Sequence, residues 1–142
     1  MTRHPYRSAV DDNGRWDGFV PRRGDVFVCT PAKCGTTWMQ SIVASLLWPT
    51  TDAPGPVLAI SPWIEMKGMA PAAELHDMLA AQTHRRFMKS HTPADGIPWF
   101  DEGRYIFVVR DGRDAFMSLC NHLEKFQDHL RDSLNAEAAV EG

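Results

Sequence analysis

The sequence predicts an α/β fold with a central parallel sheet covered by helices. Two short, uniformly apolar runs at 26–29 and 105–109 predict it, together with the glycine-containing loop after each run that opens a helix-period pattern. At 142 residues, 44% hydrophobic and 23% charged, the chain has the size and composition of one globular domain or part of one. A net charge of -3 argues against general nucleic-acid binding, which draws on a clustered positive excess. Cys29, Cys34 and Cys120 form no CxxC pair and leave an odd count, which fits reduced thiols in a cytoplasm better than a disulfide framework. Apolar stretches such as SIVASLLW are too short to span a bilayer, so no membrane partner and no export signal are expected.

Residues 1–24 are rich in charge, glycine and proline, and read as an extended, surface-lying lead-in. Val26-Phe27-Val28-Cys29 lacks alternation, the pattern of a central strand buried on both faces. From Gly35, the residues Trp38, Met39, Ile42, Val43, Leu46 and Leu47 recur at helical steps until Pro49. Ser61-Pro62-Trp63 reads as a helix start with proline in its first turn, and a further helix is expected from Ala72 to Gln82. Arg86-Phe87-Met88-Lys89 is a weaker strand candidate. Tyr105-Ile106-Phe107-Val108-Val109 is the clearest strand, and Asp111-Gly112 turns it into a helix with Ala115, Phe116, Leu119, Cys120 and Leu123 on one face. The motif-bearing core then spans 25–126, with a helical or flexible tail over 127–142 and no linker dividing domains.

A loop leading from a strand into a helix presents unpaired backbone N–H groups and the positive end of the helix dipole. In Lys33-Cys34-Gly35-Thr36-Thr37-Trp38, Gly35 permits close backbone approach and the threonines supply hydroxyls. Lys33 adds a mobile charge and Trp38 a face for a purine ring. Taken singly, each of these residues is more simply read as part of a threonine-capped helix start, with Gly35 as a turn residue and Trp38 in the core. Because Lys33 precedes Gly35, the loop is not a Walker A motif, and an ATP-and-magnesium kinase is disfavoured.

Arg110 follows a buried-looking strand, where a guanidinium must reach solvent or meet an anion, and Ser118 lies two turns into the next helix. Pairing of Arg110 with Asp111 or Asp114 is the plainer alternative. Any one of the six histidines taken alone reads as surface or core, while a histidine near a lysine, as His91 is to Lys89, could supply a neutral base beside a cation. His4, His76, His84 and His129 read as solvated, while His122 leaves a packing or pocket role open. No histidine or cysteine pair has compact ligand spacing, so no metal is expected.

Thr30-Pro31-Ala32-Lys33-Cys34-Gly35-Thr36-Thr37-Trp38 resembles the T-Y-P-K-S-G-T-T-W loop of the cytosolic-type sulfotransferases, departing at Ala32 and Cys34. Lys89-Ser90-His91-Thr92-Pro93 is similar to that family's K-T-H-L-P loop, and Arg110, Asp114 and Ser118 match its R-x-x-x-D-x-x-x-S pattern. The resemblance implies a P-loop-containing nucleotide-hydrolase-like three-layer fold, incomplete in this chain, and covers about residues 24–126. It implies 3'-phosphoadenosine 5'-phosphosulfate as co-substrate, a small-molecule hydroxyl acceptor (alcohol or phenol) and in-line sulfuryl transfer. His91 is then the general base, with Lys33 and Lys89 assisting the transfer. Lys33, Cys34, Gly35, Thr36, Thr37 and Trp38 would hold the 5' side of the donor, Arg110 and Ser118 its 3'-phosphate.

Family chains are roughly twice as long, and nothing here resembles their later R-K-G-x-x-G-D-W-K segment. The expectation is therefore the N-terminal half of one sulfotransferase domain, with a shortened protein relying on another chain or a nucleotide-binding fragment without turnover as the alternatives. A homo-oligomer is compatible with the sequence. Trp63 and Trp99 read equally as walls of an acceptor pocket or as core.

Overall fold

The computed structural model describes residues 3–140, with the side chains of 126 and 128–140, including His129, outside the described set. The chain forms two compact units, Met1–Val109 and Arg110–Gly142. The first holds strands β1 (Val26–Cys29), β2 (Phe87–Ser90) and β3 (Arg104–Phe107), with helices α1 (Thr36–Leu47), α2 (Val57–Ile60) and α3 (Ala72–Ala81). The second is the helix α4 (Gly112–Val140), which carries the expected tail as far as 140.

The sheet runs β2-β1-β3 and is parallel throughout, with Val26 opposite both Phe87 and Arg104. All four residues of β1 are buried, as an unalternating run requires when both faces are covered. Successive side chains of a strand point to opposite faces. Phe27 and Cys29 accordingly join Met88, Ile64, Leu75 and Leu79 in one cluster, while Val26 and Val28 join Phe87, Val43, Ala44 and Ile60 in another. Thus α3 supplies one layer and α1 the opposite one.

Before the sheet begins, Asp25 and Arg86 form a buried two-pronged ion pair, Arg86 Nε donating to Asp25 Oδ1 at 2.9 Å and Nη2 to Oδ2. A second bond from Arg86 Nη2 to the Val20 carbonyl at 3.0 Å satisfies the guanidinium further. Removing either partner would leave a buried charge uncompensated, at a cost of about 3–5 kcal/mol.

Three expectations are corrected. The lead-in is surface-lying only in part. It contains a 3-10 helix (Asn13–Trp16), and Trp16 and Phe19 are buried in the cluster under α3. No helix starts at Ser61-Pro62-Trp63. The helix is instead the single turn α2, ending at Ile60 with Ser61 as its C-cap, after which Trp63 bridges to Lys89 in β2. The strand at 105–109 begins one residue earlier and ends at Phe107, because its partner β1 ends at Cys29. One further bond, Val108 N–H to the Cys29 carbonyl at 3.1 Å, closes the ladder. β3 is also less buried than its sequence suggests, with Arg104 and Phe107 exposed at the sheet edge.

Candidate functional site

The parallel pairing brings two loops together. Cys29 lies opposite Ser90, and the ladder extends by Thr30 N–H to the Ser90 carbonyl at 3.0 Å, so the residues following β1 and β2 leave the same edge of the sheet side by side. Ligands of parallel α/β sheets collect at these carboxyl ends.

The loop after β1 turns through two residues in the left-handed region, Lys33 at φ 63° and Gly35 at φ 95°. Gly35 stands as the N-cap of α1 and provides no side chain, so no side-chain bond caps the helix. An atom placed at a Gly35 Cβ would meet nothing within 4 Å, so the loop is open at that position. First-turn amides without a side-chain cap, with the dipole behind them, suit an anion. Lys33 is half-buried, and its side chain makes no ion pair among the described residues.

Thr37 and Trp38 are exposed, Trp38 by 74%, which removes the alternative that places Trp38 in the core. Thr36 is buried and its hydroxyl pairs with that of Thr30. Cys34 is buried, and its backbone amide, the group through which it was expected to serve, closes a turn on the Pro31 carbonyl at 3.3 Å.

His91 leans across from the second loop. Its Nδ1 lies 2.8 Å from the Thr30 carbonyl, which can only accept, so Nδ1 carries the proton and Nε2 keeps the free lone pair. Trp63 meets the imidazole edge-on at 4.8 Å, and the Lys89 ammonium sits 5.3 Å from the same indole centre. Burial is the main force holding the His91 pKa below the ordinary value. The Lys89 charge adds to that, while the Thr30 carbonyl and Asp11 oppose it. Burial likewise lowers the Lys89 pKa, against an opposing pull from Glu65. A half-buried neutral imidazole beside a cation is a proton acceptor at neutral pH.

Sequence reasoning missed Glu65. It is fully buried, and burial pushes its carboxyl pKa up although Ser90, Trp16 and Thr92 donate to it. In sequence, Trp-Ile-Glu-Met carries no signal that a carboxylate is enclosed. The signal lies in donors contributed by two distant segments.

Of the remaining expected residues, Arg110 is exposed and lies 3.8 Å from Asp114, the plainer of its two sequence readings, while Ser118 is half-buried on α4. Arg113 pairs with Asp111. His4 and His122 are exposed, but His76 and His84 are not solvated as expected. His76 is half-buried with Nε2 2.9 Å from the Arg15 carbonyl, and His84 packs edge-on against Trp48 at 5.1 Å. Trp99 is exposed and packs against Tyr105, whereas Trp63 belongs to the His91 site. Among the described residues no helix is long and apolar enough to cross a membrane.

The sulfotransferase domain model matches residues 23–141. A glycolipid sulfotransferase of Mycobacterium tuberculosis is 45% identical over 114 residues, covering 80% of this chain and 35% of the relative. Cytosolic sulfotransferase 1 of Danio rerio is 32% identical over 110 residues, 70% of this chain and 36% of its own. Sulfotransferase 1C2 of Oryctolagus cuniculus is 26% identical over 136 residues, 90% of this chain and 45% of its own. The chain thus spans less than half the length of these relatives. With that match over most of its length, the chain belongs to the sulfotransferase family.

Proposed function

We propose that this chain carries the donor-binding and base-bearing part of an enzyme that transfers a sulfuryl group from 3'-phosphoadenosine 5'-phosphosulfate to a hydroxyl acceptor. The observation that carries the reading is Thr30, whose carbonyl holds His91 Nδ1 while its hydroxyl holds Thr36 at the start of α1. One residue thereby couples the candidate base to the anion cradle.

The donor supplies the electrophilic sulfur and a phosphate leaving group. Lys33, the first-turn amides of α1 and the Thr37 hydroxyl would hold its 5'-phosphosulfate, and the open Trp38 face its adenine. Arg110 and Ser118 are the proposed contacts to the 3'-phosphate. His91 Nε2 takes the acceptor proton as the acceptor oxygen bonds to sulfur and the bond from sulfur to the phosphate oxygen breaks, releasing 3'-phosphoadenosine 5'-phosphate. The cations Lys33 and Lys89 offset the negative charge that develops. The 45% identical relative is named for glycolipid, which makes a glycolipid hydroxyl the first acceptor to test, before phenols, steroids and simple alcohols.

The test is a sulfate-transfer assay on wild type and His91→Ala, paired with calorimetry of 3'-phosphoadenosine 5'-phosphate. Loss of the base lowers the rate by about 100- to 10,000-fold while nucleotide affinity stays within a few fold. The rate of the wild type falls on acidification through a pH below the ordinary histidine value of 6.5, since the lowered pKa keeps the ring neutral to that point. Nucleotide binding with no transfer to any acceptor would instead favour a binding module, and equal loss of binding and turnover would remove His91 as the base. Arg110→Ala lowers the preference for nucleotide bearing a 3'-phosphate over the analogue without it. An unchanged preference would remove Arg110 from the site.

A further inference from the structure

We propose that Glu65 is a positioning residue for His91, acting as the anchor of the turn that carries it. The inference rests on the reading of His91 as the base. Its geometry surrounds His91 on both sides. Glu65 Oε1 accepts from the hydroxyl of Ser90, immediately before His91, and from that of Thr92, immediately after it, the latter at 3.0 Å. The Ser90 oxygen also accepts the Thr92 amide N–H at 3.1 Å, so the hydroxyl closes a turn around His91 while donating into Glu65. The same Oε1 accepts the Trp16 indole N–H at 2.7 Å, which fixes the carboxylate against the lead-in.

Three donors from two separate segments therefore converge on one carboxylate oxygen, and two of them belong to the residues flanking the imidazole. A turn held at both shoulders leaves the imidazole little freedom except the orientation in which Nδ1 donates to the Thr30 carbonyl at 2.8 Å. That bond selects the tautomer with Nε2 unprotonated, the one a base requires. Glu65 touches neither His91 nor the loop after β1 through any hydrogen bond among the described residues, so it acts through Ser90 and Thr92.

All three donors use Oε1, and Oε2 is buried without a partner. A glutamine can place its carbonyl oxygen at Oε1 and keep every bond, whereas alanine keeps none. The experiment is nitrogen-15 NMR of the His91 ring in the full chain for wild type, Glu65→Gln, Glu65→Ala and Ser90→Ala. Wild type and E65Q are expected to show His91 predominantly as the Nδ1–H tautomer. E65A and S90A are expected to lose that preference and show averaged or mixed ring signals. S90A leaves Glu65 two of its donors, so it decides the matter if E65A fails to fold.

Retention of the wild-type tautomer in S90A, or in folded E65A, overturns the proposal, as does its loss in E65Q. The readout does not depend on turnover. Should His91→Ala retain transfer activity, the base assignment fails while the ring signals still report whether Glu65 orients His91.

Discussion

Between β1 and α1 the chain turns through left-handed Lys33 and Gly35, and no side chain caps the helix that follows. Between β3 and α4 the Asp111 carboxylate does that work itself, accepting the Arg113 amide at 2.9 Å and pairing with the Arg113 guanidinium. These bonds, the Arg113 side-chain bond foremost, hold the Asp111 pKa below its usual value. Both segments share one sequence plan, an apolar strand, a glycine-containing loop and a helix. The difference teaches that such a loop is a candidate for an anion when its helix start lacks an acceptor of its own. Where a carboxylate already occupies the first-turn amides, the charge is internal and a phosphate must rely on neighbouring side chains instead.

Making the first loop resemble the second should break the contrast most severely. Gly35→Asp places a carboxylate at the open N-cap and is expected to weaken binding of 3'-phosphoadenosine 5'-phosphate by at least about 100-fold, through repulsion and self-capping. Gly35→Ala is the control for strain at φ 95°, where a Cβ costs roughly 1–2 kcal/mol of stability without adding charge. If both variants lose affinity equally, backbone shape rather than the vacant cap governs binding.

Lys33→Ala comes next, with an expected loss of about 1.5–3 kcal/mol in calorimetric affinity, the worth of a hydrogen bond to a charged group. Trp38→Ala follows, weakening nucleotide by about 1–3 kcal/mol if the ring stacks on adenine, with the thermal midpoint unmoved because the indole is 74% exposed. A drop in the midpoint without a change in affinity would make Trp38 structural. The smallest effect is expected from Asp111→Ala, read as faster hydrogen exchange at the Arg113 amide. Unchanged exchange there would contradict the self-capping of α4.

Much of this was legible in the residues. Val26-Phe27-Val28-Cys29 announced a strand covered on both faces because four consecutive apolar side chains cannot all face one way. The helical steps from Trp38 to Leu47 marked α1, and Gly35 before them marked its start. What stayed hidden depends on partners remote in the chain. Ser61 looked like a helix opening. In the fold it is buried beneath α1, its hydroxyl and carbonyl engaged by the Gln40 amide at 2.7 Å. Trp16 sat in a charged, glycine-rich stretch, yet its indole reaches Glu65 and packs against Phe27. Glu65 itself is invisible without the donors that enclose it. Local pattern reports period and turn chemistry, but not which distant group satisfies a buried polar atom.

The central claim is that the loop from Lys33 to Trp38 is the donor's 5'-phosphosulfate cradle, kept open by the missing cap on α1. Its most direct test is calorimetric titration of 3'-phosphoadenosine 5'-phosphate into the wild-type chain and into Gly35→Asp, with Gly35→Ala alongside. The account predicts saturable binding by the wild type, binding retained in G35A and lost in G35D. Equal affinity in wild type and G35D would contradict it.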